Sequence, residues 1–392
     1  NRNLGFIITA VGLALQLRLN HLQITYYTLI ILIFYGVNLI ISFYYDNNLR
    51  KLLKRIGILL LAVMLSIGTF FGQLWSVFEY SNESIRGKSE LTNNTSGLEK
   101  DYAFQYSNGI FEPLTLFIPN ILGGSSRQIL ERDSNLGEAL RKNNVSTVQI
   151  NNQLRNVPTY WGDQALTAPY YAGALSLFLL ILGILILEKK EKNWILALLT
   201  ISVLLSMGSN FSSLNNLFFD YLPGYNKFRS VTFIIIISLF SVALFSSLTL
   251  EKFFSDIKKH KTNLLKAFYI TLGFYFFIYI VSFTLNFSGS VDTNFTNFPN
   301  WFLDALIEDR KDLLFKNIIF GSFITLIFVS SVLIINYKNL SLNIAFILIN
   351  ILMIFDHLSL NSKLIRDDKT CELYGDCVFI SKKNSRSEEH TF

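Results

Sequence analysis

Arg18, Asn20, His21 and Gln23 crowd into one short string, RLNHLQITYY (18–27), set between two long apolar runs. A guanidinium, an imidazole and amide donors held at a membrane surface can grip a phosphate or the hydroxyls of a sugar. The string equally suits an ordinary tight turn, with Tyr26 and Tyr27 as anchors at the lipid–water boundary. A second string, FFDYLPGYNKFRS, places Asp220, Lys227 and Arg229 around a Pro-Gly turn. Two cations beside aromatic rings fit a lipid phosphate, and they fit a capped helix start as well. In PTYWGDQALTAPYY, Asp163 is an acid just ahead of an apolar run, and Tyr160 and Trp161 sit where aromatic anchors belong. Asp163 is therefore the candidate for acid–base chemistry, with a solvated cap as the plain alternative. Glu83 and Arg86, in EYSNESIRGKSEL, complete the candidate set at the end of another apolar run. Glu112 stands alone in GIFEPLTLFIPNILGGSS, a stretch long enough to lie in the interface as an amphipathic helix. Its Gly123-Gly124 pair is not a phosphate-binding loop, since no Lys-Ser/Thr follows it.

The elements that must position these groups are set by composition. Of 392 residues, 51% are apolar, 15% aromatic and 16% charged, with 36 Phe and 18 Tyr. A soluble domain carries about 25% charged residues, so an ordinary water-soluble enzyme is excluded, and a disordered chain with it. Crossing a hydrocarbon core takes roughly 17–25 apolar residues in a helix, because lipid offers backbone groups no partner. Runs near that length occupy 4–19, 24–45, 56–75, 170–187, 193–208, 230–250, 264–286, 316–336 and 340–358. The expectation is an all-α membrane protein of about nine transmembrane helices, with an extracytoplasmic loop domain of about 94 residues between spans 3 and 4. Its divisions are spans 1–3 (1–75), the loop domain (76–169), spans 4–9 (170–358) and the start of an extracytoplasmic tail (359–385). Residues 386–392 contain RSEEHT, which reads as translated sequencing adapter, and the opening NRNLGFIITAV reads as a start within a longer protein.

Orientation follows from Lys and Arg, which stay on the cytoplasmic side of short loops. The connections 46–55, 188–193, 251–266 and 337–339 hold 13 cations, against five in 18–23, 209–229 and 287–315. The net charge of +6 thus reads as topology, and nucleic-acid binding drops out. Inside the runs there are essentially no charges apart from Arg18, Lys266, Lys316, Asp356 and His357, all near run ends, which speaks against an ion-coupled transporter. Cys371 and Cys377 fall in the outer tail, where a bridge can persist, and only Asp367, Asp368, Glu372 and Asp376 surround them, so no metal site is expected. Arg18, His21, Asp163 and Arg229, all at outer ends of spans, are expected to line one cavity.

The strings RLNHLQITYY, EYSNESIRGKSEL, DYAFQYSNGIFEPLTLFIPNILGGSS, PTYWGDQALTAPYY and DYLPGYNKFRS, in this order over residues 3–360, resemble the bacterial YfhO membrane proteins in the form found in Bacteroidetes. One departure is Ala165, where Pro is expected after YWGDQ. The resemblance implies a polytopic protein similar to the GT-C class of glycosyltransferases, in the bacterial inner (cytoplasmic) membrane with the first residues on the cytoplasmic side. Such enzymes transfer a sugar from a polyprenyl-phosphate donor to an envelope glycan or lipid at the outer face. No further cofactor is evident, and the resemblance leaves a divalent metal open. The usual base is an Asp or Glu of the first outer loop, which by the span count precedes Asn1. By motif, Arg18, Asn20, His21, Gln23, Glu83, Arg86, Trp161, Asp220, Lys227 and Arg229 become candidates for donor or substrate binding, and Asp163 the catalytic candidate. Membrane lipid and lipid-linked sugar are the implied partners. Two other classes fit the same chain: a flippase or transporter of lipid-linked glycan, which needs a polar groove but no acid–base pair, and an envelope-assembly scaffold docking through 76–169.

Overall fold

The computed structural model describes residues 2–46, 49–84, 87, 97–126, 129–164, 167–338 and 341–364. Arg86, the two cysteines and the RSEEHT string lie outside them. The described residues form helices α1 (Arg2–Arg18), α2 (Leu22–Tyr45), α3 (Leu49–Thr69), α4 (Phe71–Asn82), α5 (Lys100–Ala103), α6 (Asn135–Lys142) and α7 (Thr147–Asn156). They continue as α8 (Ala174–Ile186), α9 (Lys189–Ser206), α10 (Ser212–Tyr221), α11 (Ile235–Ser255), α12 (Ile257–Ser282), α13 (Asn300–Tyr337) and α14 (Leu342–Leu364). The chain is a multi-pass α-helical membrane protein, but the expected nine crossings are corrected. Among the described residues six helices are long and apolar enough to cross, or seven if one bent pair is a single span.

Backbone geometry explains the difference. In the run 170–187 the helix begins only at Ala174, because Gly173 sits at φ 108, outside the helical region. Its 13 residues span about 20 Å, against a hydrocarbon core of about 30 Å. In the run 193–208, α9 ends at Ser206 and the chain turns by 118° across Met207 into the segment Gly208–Tyr221. The first run gives an apolar helix of only Asn3–Arg18, closed by Asn20 at φ 53. Conversely, α13 is longer than its apolar run: 38 residues reach about 57 Å, so its first turns stand beyond the lipid where the charged string 300–315 read as loop.

The segment 76–169 is likewise not a defined loop domain among the described residues. Its pieces are shared out among other elements. Leu98 donates its backbone N–H to Asn226 O at 2.9 Å, and Asn108 donates to Ser206 O at 3.0 Å. Residues 129–157 form a core with α13 instead, where Leu136, Leu140 and Leu154 close on Phe302 and Leu306. The start of α6 is held from α13: Asn135 and Leu136 donate their N–H groups to Asp309 at 2.7 and 3.0 Å, which satisfies two of the donors that a helix start leaves free. α14 does the same for α8. Asp356 accepts the Leu175 N–H at 3.3 Å and bonds the Tyr171 hydroxyl, which takes the Ala174 N–H at 2.9 Å.

The basic connections meet at one end of the bundle. Lys252 pairs with Glu188 at 3.3 Å, and Phe254, near the end of α11, stacks on Phe346 of α14 with ring centroids 5.3 Å apart. Gln23, Asp163 and Arg229 lie toward the other end.

Candidate functional site

The polar end is organised around the Glu112 carboxylate. Residues Glu112–Leu116 are a buried 3-10 turn and not the interfacial helix expected of this stretch. Gly109 donates its N–H to Glu112 Oε2 at 2.6 Å, and the Gln164 amide donates to the same oxygen at 2.8 Å. The Tyr160 hydroxyl donates to Oε1 and accepts the Gln164 N–H at 3.1 Å. Gln164 further donates to Asn108 Oδ1 at 2.8 Å. One carboxylate therefore buckles the chain from 160 to 164 into a tight turn. Gly162 sits inside it, and a Cβ there would overlap the Tyr160 ring and hydroxyl.

That turn pushes Asp163 outward, where its side chain is exposed. Gly109 lies between the two acids. Its N–H is taken by Glu112, and a Cβ built on it would lie 3.3 Å from Asp163 Oδ2. Burial pushes the Glu112 carboxyl above its usual range, its three donors oppose the rise, and the charge of Asp163 adds to it. Burial and the adjoining Glu112 charge also push the Tyr160 phenol upward. The arrangement is a tied, buried acid beside a free, exposed one.

Glu112→Gln is expected to cost about 1–3 kcal/mol, because an amide NH2 must face donors on one side or the other and leaves one of them unpaired. The pH dependence has a fixed sign. A raised folded pKa contributes stability that is complete below the ordinary value near 4.5 and is lost as pH rises through the folded value. The wild-type advantage over Glu112→Gln should thus be largest in acid and shrink with rising pH. Melting temperatures of both proteins in detergent across pH 4–8 check this, and an advantage that grows with pH would contradict it.

A second group lies along the same strand of chain. Arg229 Nη2 donates to Gln105 Oε1 at 2.6 Å, and the guanidinium stacks over Tyr102 at 4.3 Å and Tyr106 at 5.2 Å. Its Nε is buried without a hydrogen-bond partner among the described residues. Gln23, on the first turn of α2, donates to Arg229 O at 3.0 Å and to Tyr27 at 2.9 Å. His21 precedes that helix with an exposed ring set edge-on to Phe233. Gln23 thus ties the start of α2 to the Arg229 backbone, and residues 105–109 lead from the Arg229 guanidinium to Glu112 and Asp163.

The other expected residues are dispersed. Arg18 closes α1 with an exposed side chain, and Asn20 forms the left-handed turn after it. Asp220 pairs with Lys100 at 2.7 Å, while burial lowers the Lys227 ammonium. Trp161 is half-buried, donates its backbone N–H to Leu122 O at 3.0 Å and faces Phe287. Glu83 is exposed just past α4.

Sequence reasoning missed Arg310, whose side chain is wholly buried. It forms a forked pair with Asp292, at 2.7 and 2.8 Å, and donates to Thr159 O, Phe287 O and Pro158 O. This residue, from the protruding half of α13, ties the 158–161 segment to the 287–292 loop. A signal existed: Phe302, Leu306, Arg310 and Leu314 recur every four residues, so Arg310 occupies a slot on the buried stripe. No group of three or more His, Cys, Asp or Glu able to hold a metal occurs among the described residues. No family model, curated protein or solved structure matches the chain.

Proposed function

We propose that this multi-pass protein transfers a sugar from a polyprenyl-phosphate donor to an envelope acceptor, in the manner of the GT-C class, as a relative of the YfhO proteins. In this reading the polar end faces outward from a bacterial inner membrane, and membrane lipid and lipid-linked sugar are its partners. The supporting observation is the pair of acids about Gly109. Glu112 is spent on holding the turn, which leaves Asp163 solvent-facing and free to accept a proton from an attacking hydroxyl. Arg229, and on the separate 18–21 turn Arg18 and His21, supply the cations for a phosphate. Arg229→Ala and Arg18→Ala are then each expected to weaken binding of a polyprenyl phosphate by about 1–3 kcal/mol. The measurement is titration of the reconstituted protein with undecaprenyl phosphate. Affinity unchanged in both variants removes the donor site from this end.

The sidedness has its own test. In a variant lacking Cys371 and Cys377, a cysteine at exposed Val148 should react in intact cells with an impermeant maleimide, and one at exposed Lys258 should not. The reverse pattern ends the outward reading.

A further inference from the structure

At the basic end, two apolar grooves of about 760 and 530 Å³ run along the two flanks of α2 where it faces α9. They share Asn38 and Ser42 of α2 and Lys190 and Trp194 of α9, so together they make a fork. One limb continues along Ile33, Val37, Ile41 and Ala197, and the other along Leu32, Leu39, Leu244 and Leu248. From Tyr45 at the mouth of the first limb to Ile31 at the far end of the second, α2 rises about 21 Å, enough to accept acyl chains through one leaflet of a core about 30 Å thick. The rim carries Lys189 and Lys190 alongside Asp46 and Glu191. Lys190 is shared with Glu188 at 3.4 Å, and Glu191 accepts the Glu188 N–H at 3.3 Å, closing the start of α9. Lys189 has no acidic partner among the described residues and is exposed.

We infer that this fork is a binding site for an anionic diacyl glycerophospholipid of the leaflet on the basic side, with one acyl chain in each limb and the phosphate at Lys189 and Lys190. Three features converge on that occupant. Two limbs that join near the surface match two chains that join at one glycerol. The hydroxyl and amide at the junction, Ser42 and Asn38, stand where ester oxygens must be met, in a wall that is mostly apolar and carries one further amide, Asn193. The rim ammonium groups match a phosphodiester at a depth where each cation favours an anionic headgroup about fivefold. The site lies at the end opposite the candidate transferase residues, and stands or falls independently of that reading.

Trp194 lines both limbs and gives the test. With Trp75, Trp161 and Trp301 changed to Phe, the remaining fluorescence is titrated with dibrominated phosphatidylglycerol or dibrominated phosphatidylcholine in mixed micelles. The expected result is quenching by both, half-complete at a mole fraction at least about fivefold lower for phosphatidylglycerol. Lys189→Gln/Lys190→Gln should erase that difference without shifting the emission maximum of the lipid-free protein, since both side chains are exposed and the fold does not depend on them. Val37→Phe should weaken quenching by both lipids. Equal quenching by the two lipids, a phosphatidylglycerol preference that survives the double lysine variant, or no quenching by either would overturn the assignment.

Discussion

Arg310→Ala is expected to destabilise the protein by about 3–5 kcal/mol, the cost of stranding one partner of a buried ion pair. All five guanidinium donors are used, two on the Asp292 carboxylate and three on carbonyl oxygens of residues 158, 159 and 287. Among the described residues, truncation leaves Asp292 buried with only the Gly289 N–H at 2.9 Å, and leaves three carbonyls without their donor. Arg310→Lys should recover little, because an ammonium cannot reproduce the planar fork. Arg310→Met with Asp292→Leu should recover much of the loss, since an apolar pair of similar volume removes the stranded charge. Unfolding free energies in mixed micelles measure all three. A loss below about 1 kcal/mol in Arg310→Ala would mean that the pair is not buried as described. The consequence reaches the candidate site, because the 158–161 segment that Arg310 holds leads directly into the turn that presents Asp163.

The membrane character and the grouping of basic connections at one end were legible in the sequence, because both depend on composition summed over many residues. Hydropathy placed α2, α11 and α12 for the same reason. It failed where one backbone position overrides the run: Gly173 delays α8, and Met207–Gly208 folds the segment after α9 sharply away. It failed at α13 for the opposite reason, since the acids and bases of NWFLDALIEDRKDLLFK lower the hydropathy of turns that stay helical and bury one stripe. At the site, Asp163, Arg229, His21 and Gln23 stand out in the sequence as reactive types at run ends, but their arrangement does not. Glu112 was noticed as a lone acid, but its role was not visible, because its partners Tyr160 and Gln164 lie 48 and 52 positions away and nothing local encodes that pairing.

Asp163→Asn is expected to lower turnover by about 10²–10⁴ while leaving donor affinity within about twofold, the signature of a lost general base. The substitution keeps the shape of the side chain, and among the described residues the exposed carboxylate holds no turn or helix start that the amide would release. Stability should therefore stay within about 0.5 kcal/mol of wild type, as for other exposed positions. Glu112→Gln gives the contrasting profile. It disturbs a buried node and should reduce stability and activity together, whereas Asp163→Asn should separate them. Single-turnover transfer from a polyprenyl-phosphate sugar by the reconstituted protein, paired with melting temperatures for each variant, resolves the two. If Asp163→Asn transfers at the wild-type rate, the exposed acid is a solvated residue of the turn and the base lies elsewhere. If it melts earlier in step with its loss of rate, the carboxylate is part of the scaffold after all, and the separation of a tied acid from a free one about Gly109 is wrong.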